Sequence, residues 1–150
     1  MENAQLLALA QKLNIRKFIH IFDQEAFENF DLSKCSAAYR INVFHLKGKR
    51  VGHFVCLLEK NNAHYFFDSF GRAPEPYGAK WTCKYNKIEL QNACTCLCGP
   101  FILFMAYHSM NLDPDRVINH YFSSSPQKLV FKWLNEIIPS DYFKLMQCRI

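Results

Sequence analysis

Residues 51–68 read VGHFVCLLEKNNAHYFFD, and the fold is organised around this stretch. Residues 51–58 are apolar almost throughout and contain the strand formers Val and Phe, which predicts a strand buried on both faces. An Asn-Asn pair then signals a turn, after which residues 64–68 read as a second strand. The two strands are expected to pair, and this pairing places His53 and Asp68 on adjacent strands.

The upstream sequence predicts one more strand and a helix. Apolar side chains occupy every second position from Tyr39 to Val43, which is typical of a half-exposed strand over residues 38–44. Closer to the N-terminus, leucines recur at helical spacing and predict an amphipathic helix over residues 3–13 that Asn14 closes.

The downstream sequence changes from loop to helix. Residues 69–80 are rich in Gly and Pro and predict a surface loop, and a short strand is expected near residues 84–90. Cys98 is followed by Gly-Pro and then by a strongly apolar run over residues 101–107. Because proline is tolerated in the first turn of a helix, Cys98 is expected at the N-terminus of a buried helix.

Two further helices complete the predicted architecture. They are expected to begin around Asp113-Pro114 and Ser125-Pro126, where a capping residue stands directly before a proline. Residues 1–150 contain no visible repeat or flexible linker, and their length suits one domain. The sequence therefore predicts a single α+β domain in which the helix beginning at Cys98 packs against a mixed sheet.

Composition favours a chain that acts in a reducing compartment. It has seven cysteines, an odd number, and Cys94, Cys96 and Cys98 alternate in a layout that suits mutual disulfides poorly. Residues 1–10 do not resemble a secretory leader, and no apolar run has membrane-spanning length. We therefore expect a protein that is not secreted and does not act in a membrane.

The charge of the chain is moderately basic. The formal net charge is +5, and lysine and arginine cluster around residues 47–50 and 80–87. This balance is compatible with a polyanionic partner such as nucleic acid, but from charge alone an ordinary solvated basic surface is the preferred interpretation.

Four residues form a candidate set for acyl transfer. A cysteine at a helix N-terminus beside an imidazole has a lowered thiol pKa, which suits Cys98 as nucleophile and His53 as general base. Asp68 is placed to hold the imidazole in the required tautomer. The side-chain amide of Gln91 and the backbone N–H of Cys98 are candidate donors to the oxyanion.

A zinc site is the rival interpretation of the cysteine cluster. Cys94, Cys96 and Cys98 are soft ligands, and His64 or His108 could complete such a site. However, alternating residues of an extended segment point to opposite faces, and zinc ligands are usually two to four residues apart. We therefore predict no metal and no cofactor in the chemistry.

The four residues and their surroundings resemble the adenovirus protease (adenain) family. The resemblance lies in Gly-His-Phe at residues 52–54, Phe-Asp-Ser-Phe-Gly at residues 67–71, Gln91, and Cys98-Gly99, in the same order along the chain. Gln91 stands seven residues before Cys98, as in that family, whereas the related SUMO-deconjugating proteases typically have a gap one residue shorter. The resemblance extends to residues 18–30 and covers about the first two-thirds of the chain.

The resemblance implies a papain-like fold of the adenain and SUMO-protease type and a cysteine endopeptidase activity. Its substrates would be viral precursor proteins cut after small residues, at Gly-Gly or Gly-X junctions, by a monomer in the host nucleus and the virion. Phe54 stands where adenoviruses have Trp, and Asp68 stands where they have Glu. Aspartate in that position is normal among the SUMO-deconjugating relatives.

The resemblance also implies two activators. Adenovirus proteases are stimulated by viral DNA and by a short viral peptide joined through a disulfide to a cysteine upstream of the glutamine. Cys83 stands in the comparable place, eight residues before Gln91. An unpaired thiol in a strand or loop is the alternative interpretation of Cys83.

Two other functions remain open from the sequence. The same four residues would serve a protease that deconjugates SUMO or ubiquitin-like proteins, which also end in diglycine. An inactive relative acting as a virion-associated binding module is the second alternative.

Overall fold

The structure is a computed structural model that describes residues 3–15, 19–21, 24–34, 39–46, 49–91 and 97–137. The helices are α1 (Asn3–Lys12), α2 (Gln24–Glu28), α3 (Cys98–His108), α4 (Pro114–Tyr121) and α5 (Pro126–Ile137). The strands are β1 (Ile19–Ile21), β2 (Tyr39–Leu46), β3 (Lys49–Lys60), β4 (Ala63–Phe67) and β5 (Lys84–Tyr85). Two 3₁₀ turns span Leu32–Lys34 and Glu75–Tyr77.

The strands form one mixed sheet in the order β1-β2-β3-β4-β5. The pairs β2–β3 and β3–β4 are antiparallel, whereas the outer pairs β1–β2 and β4–β5 are parallel. Asn61 and Asn62 connect β3 to β4 with φ angles of 53° and 63°. Asparagine tolerates this left-handed conformation better than most residues, which makes the pair suitable for a tight hairpin.

Strand β3 is buried on both faces, as its sequence predicts. On one face, Phe54, Cys56 and Leu58 pack in a helix-side core with residues of α1, α3, α4 and α5. On the other face, Val55 and Leu57 pack in a turn-side core, whose remaining buried members are Phe27, Phe66, Tyr77 and Trp81. The sheet is therefore covered on both faces, with the larger core on the helix side.

Helix α3 is the central helix of the helix-side core. Its residues from Gly99 to Ala106 are all buried, and it packs against β3 and against α1, α4 and α5. A helix that is apolar on every side is stable only inside a core, where it contacts other elements all round. This position fixes the start of α3, and with it Cys98, against the central strand of the sheet.

The described elements confirm the α+β class and most of the predicted segments. The predicted helix over residues 3–13 is α1, and Asn14 follows it with φ 54° in the left-handed conformation of a C-terminal cap. The helices expected at Cys98, at Pro114 and at Pro126 begin at those residues.

Two predicted segments differ from the structure. The strand expected over residues 84–90 is only Lys84–Tyr85, because the side chain of Asn86 bonds to the backbone of Asp68 and of Ile88 and ends the ladder. Residues 69–80 are not wholly a surface loop, since Ser69 and Tyr77 are buried. Their polar groups find partners inside the protein, so burial is compatible with a breaker-rich sequence.

No helix among the described residues is long and apolar enough to cross a membrane.

Two glycines with positive φ differ in what surrounds them. Gly71 (φ +73°) lies directly against the backbone of residues 88–89. A Cβ at this position would lie 2.8 Å from the carbonyl carbon of Ile88 and 2.9 Å from the nitrogen of Glu89. Gly78 (φ +94°) faces the carboxylate end of the Glu28 side chain instead. A side-chain end can rotate away, whereas the backbone at residues 88–89 is held by its neighbours.

We predict that Gly71→Ala destabilises the protein more than Gly78→Ala. Both substitutions force alanine into a left-handed conformation, which costs about 1–2 kcal/mol. Gly71→Ala must also displace backbone, so its total loss of unfolding free energy should reach about 3 kcal/mol or more. Urea unfolding of the two variants measures the difference, and equal losses would contradict the close approach at Gly71.

Candidate active site

Cys98 is the first residue of α3 and is partly exposed. Leu97 precedes the helix, and its side chain does not cap it. The N–H groups of the first turn can therefore donate to other acceptors. The backbone N–H groups of Gly99 and Phe54 hydrogen-bond to Cys98 and favour its thiolate. The structure thus places the predicted nucleophile at a helix N-terminus, as the sequence indicates.

His53 lies on β3 and is almost completely buried, with 3 % of its surface exposed. Its Nε2 lies 2.6 Å from Oδ1 of Asp68, which directly follows β4. The imidazole is also hydrogen-bonded to the thiol of Cys98. Because Nε2 is engaged by Asp68, Nδ1 is the ring nitrogen left for Cys98, so His53 links the thiol to the carboxylate.

The electrostatics of this chain favour an ion pair between Cys98 and His53. Burial alone would lower the pKa of His53, but its hydrogen bonds to Asp68 and Cys98 outweigh burial and raise the pKa from 6.5 to about 9. Burial alone would raise the pKa of the Cys98 thiol, and the interaction with His53 lowers it instead. A thiolate beside an imidazolium is the reactive state of a nucleophilic cysteine.

Asp68 is held as an anion although it is fully buried. Burial favours its neutral form, but hydrogen bonds from His53, from the Tyr77 hydroxyl and from the backbone N–H of Phe70 lower its pKa overall. The Tyr77 hydroxyl donates to Oδ2 at 2.5 Å, and the Phe70 N–H donates to Oδ1 at 2.9 Å. Both carboxylate oxygens are therefore fixed, which leaves Asp68 in one orientation toward His53.

The backbone of Asp68 is fixed by a neighbouring side chain. Asn86 accepts from the Asp68 N–H at 3.1 Å and donates to the Asp68 carbonyl at 2.5 Å. The side chain of Asn86 is buried, so water does not compete for these bonds. Asn86 thus holds the Asp68 backbone through its side chain, just beyond the last backbone pair between β4 and β5.

Aromatic rings enclose the imidazole. The ring of Tyr77 lies nearly parallel to His53, with centroids 6.3 Å apart and an interplanar angle of 21°. The ring of Phe70 lies 4.7 Å from His53 at 32°. The two rings pack against the imidazole and restrict its orientation.

Gln91 is linked to the same segment through Ser69. The backbone N–H of Gln91 donates to the Ser69 carbonyl at 3.0 Å, and the Ser69 hydroxyl donates to Oε1 of Gln91 at 2.5 Å. Ser69 directly follows Asp68, so one dipeptide contacts both His53 and Gln91. The structure therefore connects all four predicted residues, three of them by direct hydrogen bonds and Gln91 through Ser69.

Cys83 lies apart from these contacts. It precedes β5 and lines a groove of about 490 Å³ beside Lys84, Ile88 and Ile118. Burial and the charge of Glu75 raise the pKa of the Cys83 thiol to about 11, although a backbone hydrogen bond with Phe66 opposes them. Its thiol is protonated near neutral pH, in contrast to that of Cys98. The peptide tether remains a prediction.

Four contributing residues are missing from the sequence prediction: Ser69, Phe70, Tyr77 and Asn86. Ser69 and Phe70 lie inside the Phe-Asp-Ser-Phe-Gly motif, and their place directly after Asp68 is the signal that points to them. Tyr77 and Asn86 are nine and eighteen residues beyond Asp68. Neither carries a local pattern that relates it to Asp68, so only the folded chain brings them together.

Among the described residues, no group of three His, Cys, Asp or Glu side chains is placed to hold a metal ion, and the zinc site remains untested. Cys94 and Cys96 lie outside the described residues. His64 and His108, the other candidate ligands, each have a buried Nε2 with no hydrogen-bond partner among the described residues.

No family model and no curated protein matches the chain.

We predict that His53→Ala makes Cys98 far less reactive at mildly acidic pH. Without the imidazolium, the thiol pKa returns toward its ordinary value, so the thiolate fraction at pH about 6 should fall at least tenfold. Alkylation by iodoacetamide, followed by mass spectrometry of the Cys98 peptide, measures this loss. His64→Ala is the control, since it removes another strand histidine, a partly buried one on β4. Equal labelling in both variants would refute the Cys98–His53 pair.

We predict that Asp68→Asn lowers the pKa of His53. The substitution removes the hydrogen bond and the charge that raise this pKa, whereas burial, which lowers it, remains. In the unaltered protein His53 loses its proton as pH rises through about 9. Loss of this proton should alter the alkylation rate of Cys98. The pH at which the rate changes should be about one to three units lower in Asp68→Asn than in the unaltered protein.

Asp115→Asn is the control for this experiment. Asp115 forms an ion pair with Lys84 on the surface between α4 and β5, where water screens the charge. Its removal should leave the pH profile of Cys98 labelling in place. A profile that is also unchanged in Asp68→Asn would show that Asp68 does not set the pKa of His53.

Proposed function

We propose that this chain is a cysteine endopeptidase of the adenain type that cuts after small residues. The observation that carries the proposal is the hydrogen-bonded chain Cys98–His53–Asp68, in which the pKa of the thiol is lowered and that of the imidazole is raised to about 9. At the partly buried Cys83, by contrast, burial raises the thiol pKa to about 11. The opposite direction at Cys98 supports a nucleophile.

The arrangement of elements supports a papain-like fold of the adenain and SUMO-protease type. Such a fold needs the nucleophile at the start of a buried helix and the base on a strand against which that helix packs. Helix α3 begins at Cys98 and packs against β3, which carries His53. The order His53, Asp68, Gln91, Cys98 along the chain is that of the adenain resemblance and differs from that of papain itself.

The first half of the proposed reaction forms a thioester. The Cys98 thiolate attacks the peptide carbonyl, and the negative charge that develops on the carbonyl oxygen is bound by the Gln91 amide and the Cys98 backbone N–H. The His53 imidazolium then donates its proton to the leaving amine. The C–N bond breaks, the amine product leaves, and the acyl group remains bonded to sulfur.

The second half releases the acid product. Neutral His53 removes a proton from water, and the resulting hydroxide attacks the thioester carbonyl. The tetrahedral intermediate expels the thiolate, which restores the ion pair with the imidazolium. Asp68 keeps its negative charge throughout and stabilises each imidazolium state.

Viral precursor proteins are the proposed substrates, cleaved during virion maturation at Gly-Gly or Gly-X junctions with an aliphatic residue further upstream. The adenain resemblance supports this assignment. It also supports the proposed location in the host nucleus and virion, and stimulation by DNA or by a peptide on Cys83.

Asp68 also supports a second candidate function. Aspartate is the third member of the catalytic set in SUMO-deconjugating proteases, so a ubiquitin-like protein ending in diglycine is an alternative substrate.

Cleavage assays distinguish the candidates. We expect hydrolysis of short peptides with a diglycine junction, complete loss of hydrolysis in Cys98→Ala, and unchanged hydrolysis in Cys56→Ala, which removes a buried thiol that belongs to the helix-side core. Duplex DNA added to the assay tests stimulation. Cleavage of a ubiquitin-like fusion but not of the peptides would favour the deconjugating enzyme. If neither substrate is cleaved and labelling of Cys98 does not depend on His53, the protein is better explained as an inactive binding module.

A further inference from the structure

Asn86 directly follows β5, and its side chain bonds to the backbone of two other residues. It is almost completely buried, with 3 % of its surface exposed. Its Oδ1 accepts from the Asp68 N–H at 3.1 Å, and its Nδ2 donates to the carbonyls of Asp68 and Ile88 at 2.5 and 3.3 Å. Both ends of the amide are therefore engaged inside the protein, where water competes little for these bonds.

The partners of this amide determine which end faces which group. A backbone N–H only donates, and a backbone carbonyl only accepts. The oxygen end of Asn86 therefore faces the Asp68 N–H, and the NH₂ end faces the two carbonyls. An amide rotated by half a turn would place its oxygen against two carbonyl oxygens and leave all three bonds unmade. The side chain is thus held in a single orientation.

The first carbonyl belongs to the residue that orients the proposed base. Asn86 bonds to both the N–H and the carbonyl of Asp68, so it fixes the peptide groups on either side of that residue. These groups set the direction in which the Asp68 side chain leaves the backbone. The carboxylate lies 2.6 Å from Nε2 of His53, and a small change in backbone direction would displace it.

The second carbonyl belongs to the segment that leads to the proposed oxyanion donor. Ile88 stands three residues before Gln91. At the far end of this segment, the backbone N–H of Gln91 donates to the Ser69 carbonyl at 3.0 Å. Residues 86–91 are thus bonded to the Asp68-Ser69 dipeptide at both ends, by a side-chain amide at the start and by the main chain at the finish.

We infer that Asn86 is a positioning residue that sets the spacing between the base-orienting carboxylate of Asp68 and the oxyanion donor Gln91. The inference rests on the proposed protease function. Asn86 takes no part in the reaction steps themselves and acts through the two segments that its amide joins. A single buried side chain thereby aligns the two parts of the site that must act together on one carbonyl group.

Hydrolysis of diglycine peptides by Asn86→Ala tests the inference. Misplacement of both segments should lower kcat on the order of 30-fold, with little change in KM. Gln91→Ala removes the oxyanion donor, so the part of the effect that passes through Gln91 is absent in that background. Adding Asn86→Ala to Gln91→Ala should therefore lower kcat by only about fivefold. A full loss in that background would show that Asn86 acts through Asp68 alone and would overturn the inference.

Alkylation of Cys98 by iodoacetamide reports the Asp68 side separately. The thiolate displaces iodide without forming an oxyanion, so the rate depends on the Cys98–His53 pair. A displaced carboxylate raises the pKa of His53 less. The pH at which the rate changes should therefore be lower in Asn86→Ala by about half a unit or more, a smaller shift than in Asp68→Asn. A merely structural role would leave this pH unchanged in the folded variant.

Inhibition by a peptide aldehyde that ends in glycinal reports the Gln91 side. The Cys98 thiolate adds to the aldehyde carbon, and the carbonyl oxygen takes the charge that the oxyanion donors bind. Asn86→Ala should weaken this inhibition about tenfold. Unchanged inhibition would show that the spacing of Gln91 does not depend on Asn86, which overturns the inference.

A control variant separates positioning from a general loss of stability. Val130→Ala removes buried side-chain volume from the helix-side core and should lower the unfolding temperature. Measured well below that temperature, its kcat and its labelling profile should equal those of the unaltered protein. If Asn86→Ala behaves in the same way, Asn86 only stabilises the fold and the inference is wrong.

Hydrogen exchange in the unaltered protein provides a test that holds even where Asn86→Ala fails to fold. Both side-chain amide hydrogens of Asn86 should exchange with deuterium about 100-fold or more slowly than those of the exposed Asn111, as NMR spectroscopy measures. Exchange as fast as at Asn111 would show that the amide does not hold the two segments.

The outcomes distinguish the inference from the proposed function. An unaltered protein that hydrolyses no peptide removes the proposed function, and the role of Asn86 in it falls as well. A folded Asn86→Ala protein with unaltered kcat overturns the inference and leaves the protease function standing.

Discussion

A carboxylate without any exposed surface is costly unless its charge is paired and its oxygens are hydrogen-bonded. Asp68 is such a group, and it lies at the end of β4 where the chain leaves the sheet. Donors from His53, Tyr77 and the backbone of Phe70 surround its oxygens, and Asn86 holds its main chain. Removal of any one donor would leave a buried oxygen of Asp68 without a hydrogen bond. These residues are therefore held in one arrangement around the carboxylate.

The position of His53 between the two cores explains how the site is assembled. Cys98 belongs to α3 and packs against the helix-side core, whereas Tyr77 belongs to the turn-side core on the other face of the sheet. His53 contacts Cys98 and lies parallel to the ring of Tyr77. Strand β3 therefore separates two hydrophobic layers. The imidazole of His53 contacts one residue from each layer, Cys98 and Tyr77.

Local sequence patterns explain the elements that hold the site. The conformational limits of single residues explain why helices begin at proline and why Asn-Asn forms the hairpin. A short apolar run explains why strand β3 is buried on both faces. The same patterns fail at residues 69–91. There, the breaker-rich segment is partly buried, and the predicted strand ends at Tyr85. Both differences arise from side-chain hydrogen bonds between residues distant in sequence, which periodicity does not detect.

Residue types and short-range patterns are enough to predict the α+β class and the start of a buried helix at Cys98. They also fix the order and spacing of His53, Asp68, Gln91 and Cys98. These properties depend on residue type and on neighbours within a few positions. The groups that hold Asp68 and Gln91 are established by tertiary contacts: Tyr77 and Asn86 bond to Asp68, and Ser69 bonds to Gln91. The direction of a side chain depends on its hydrogen-bond partners, and folding, not sequence proximity, brings those partners together.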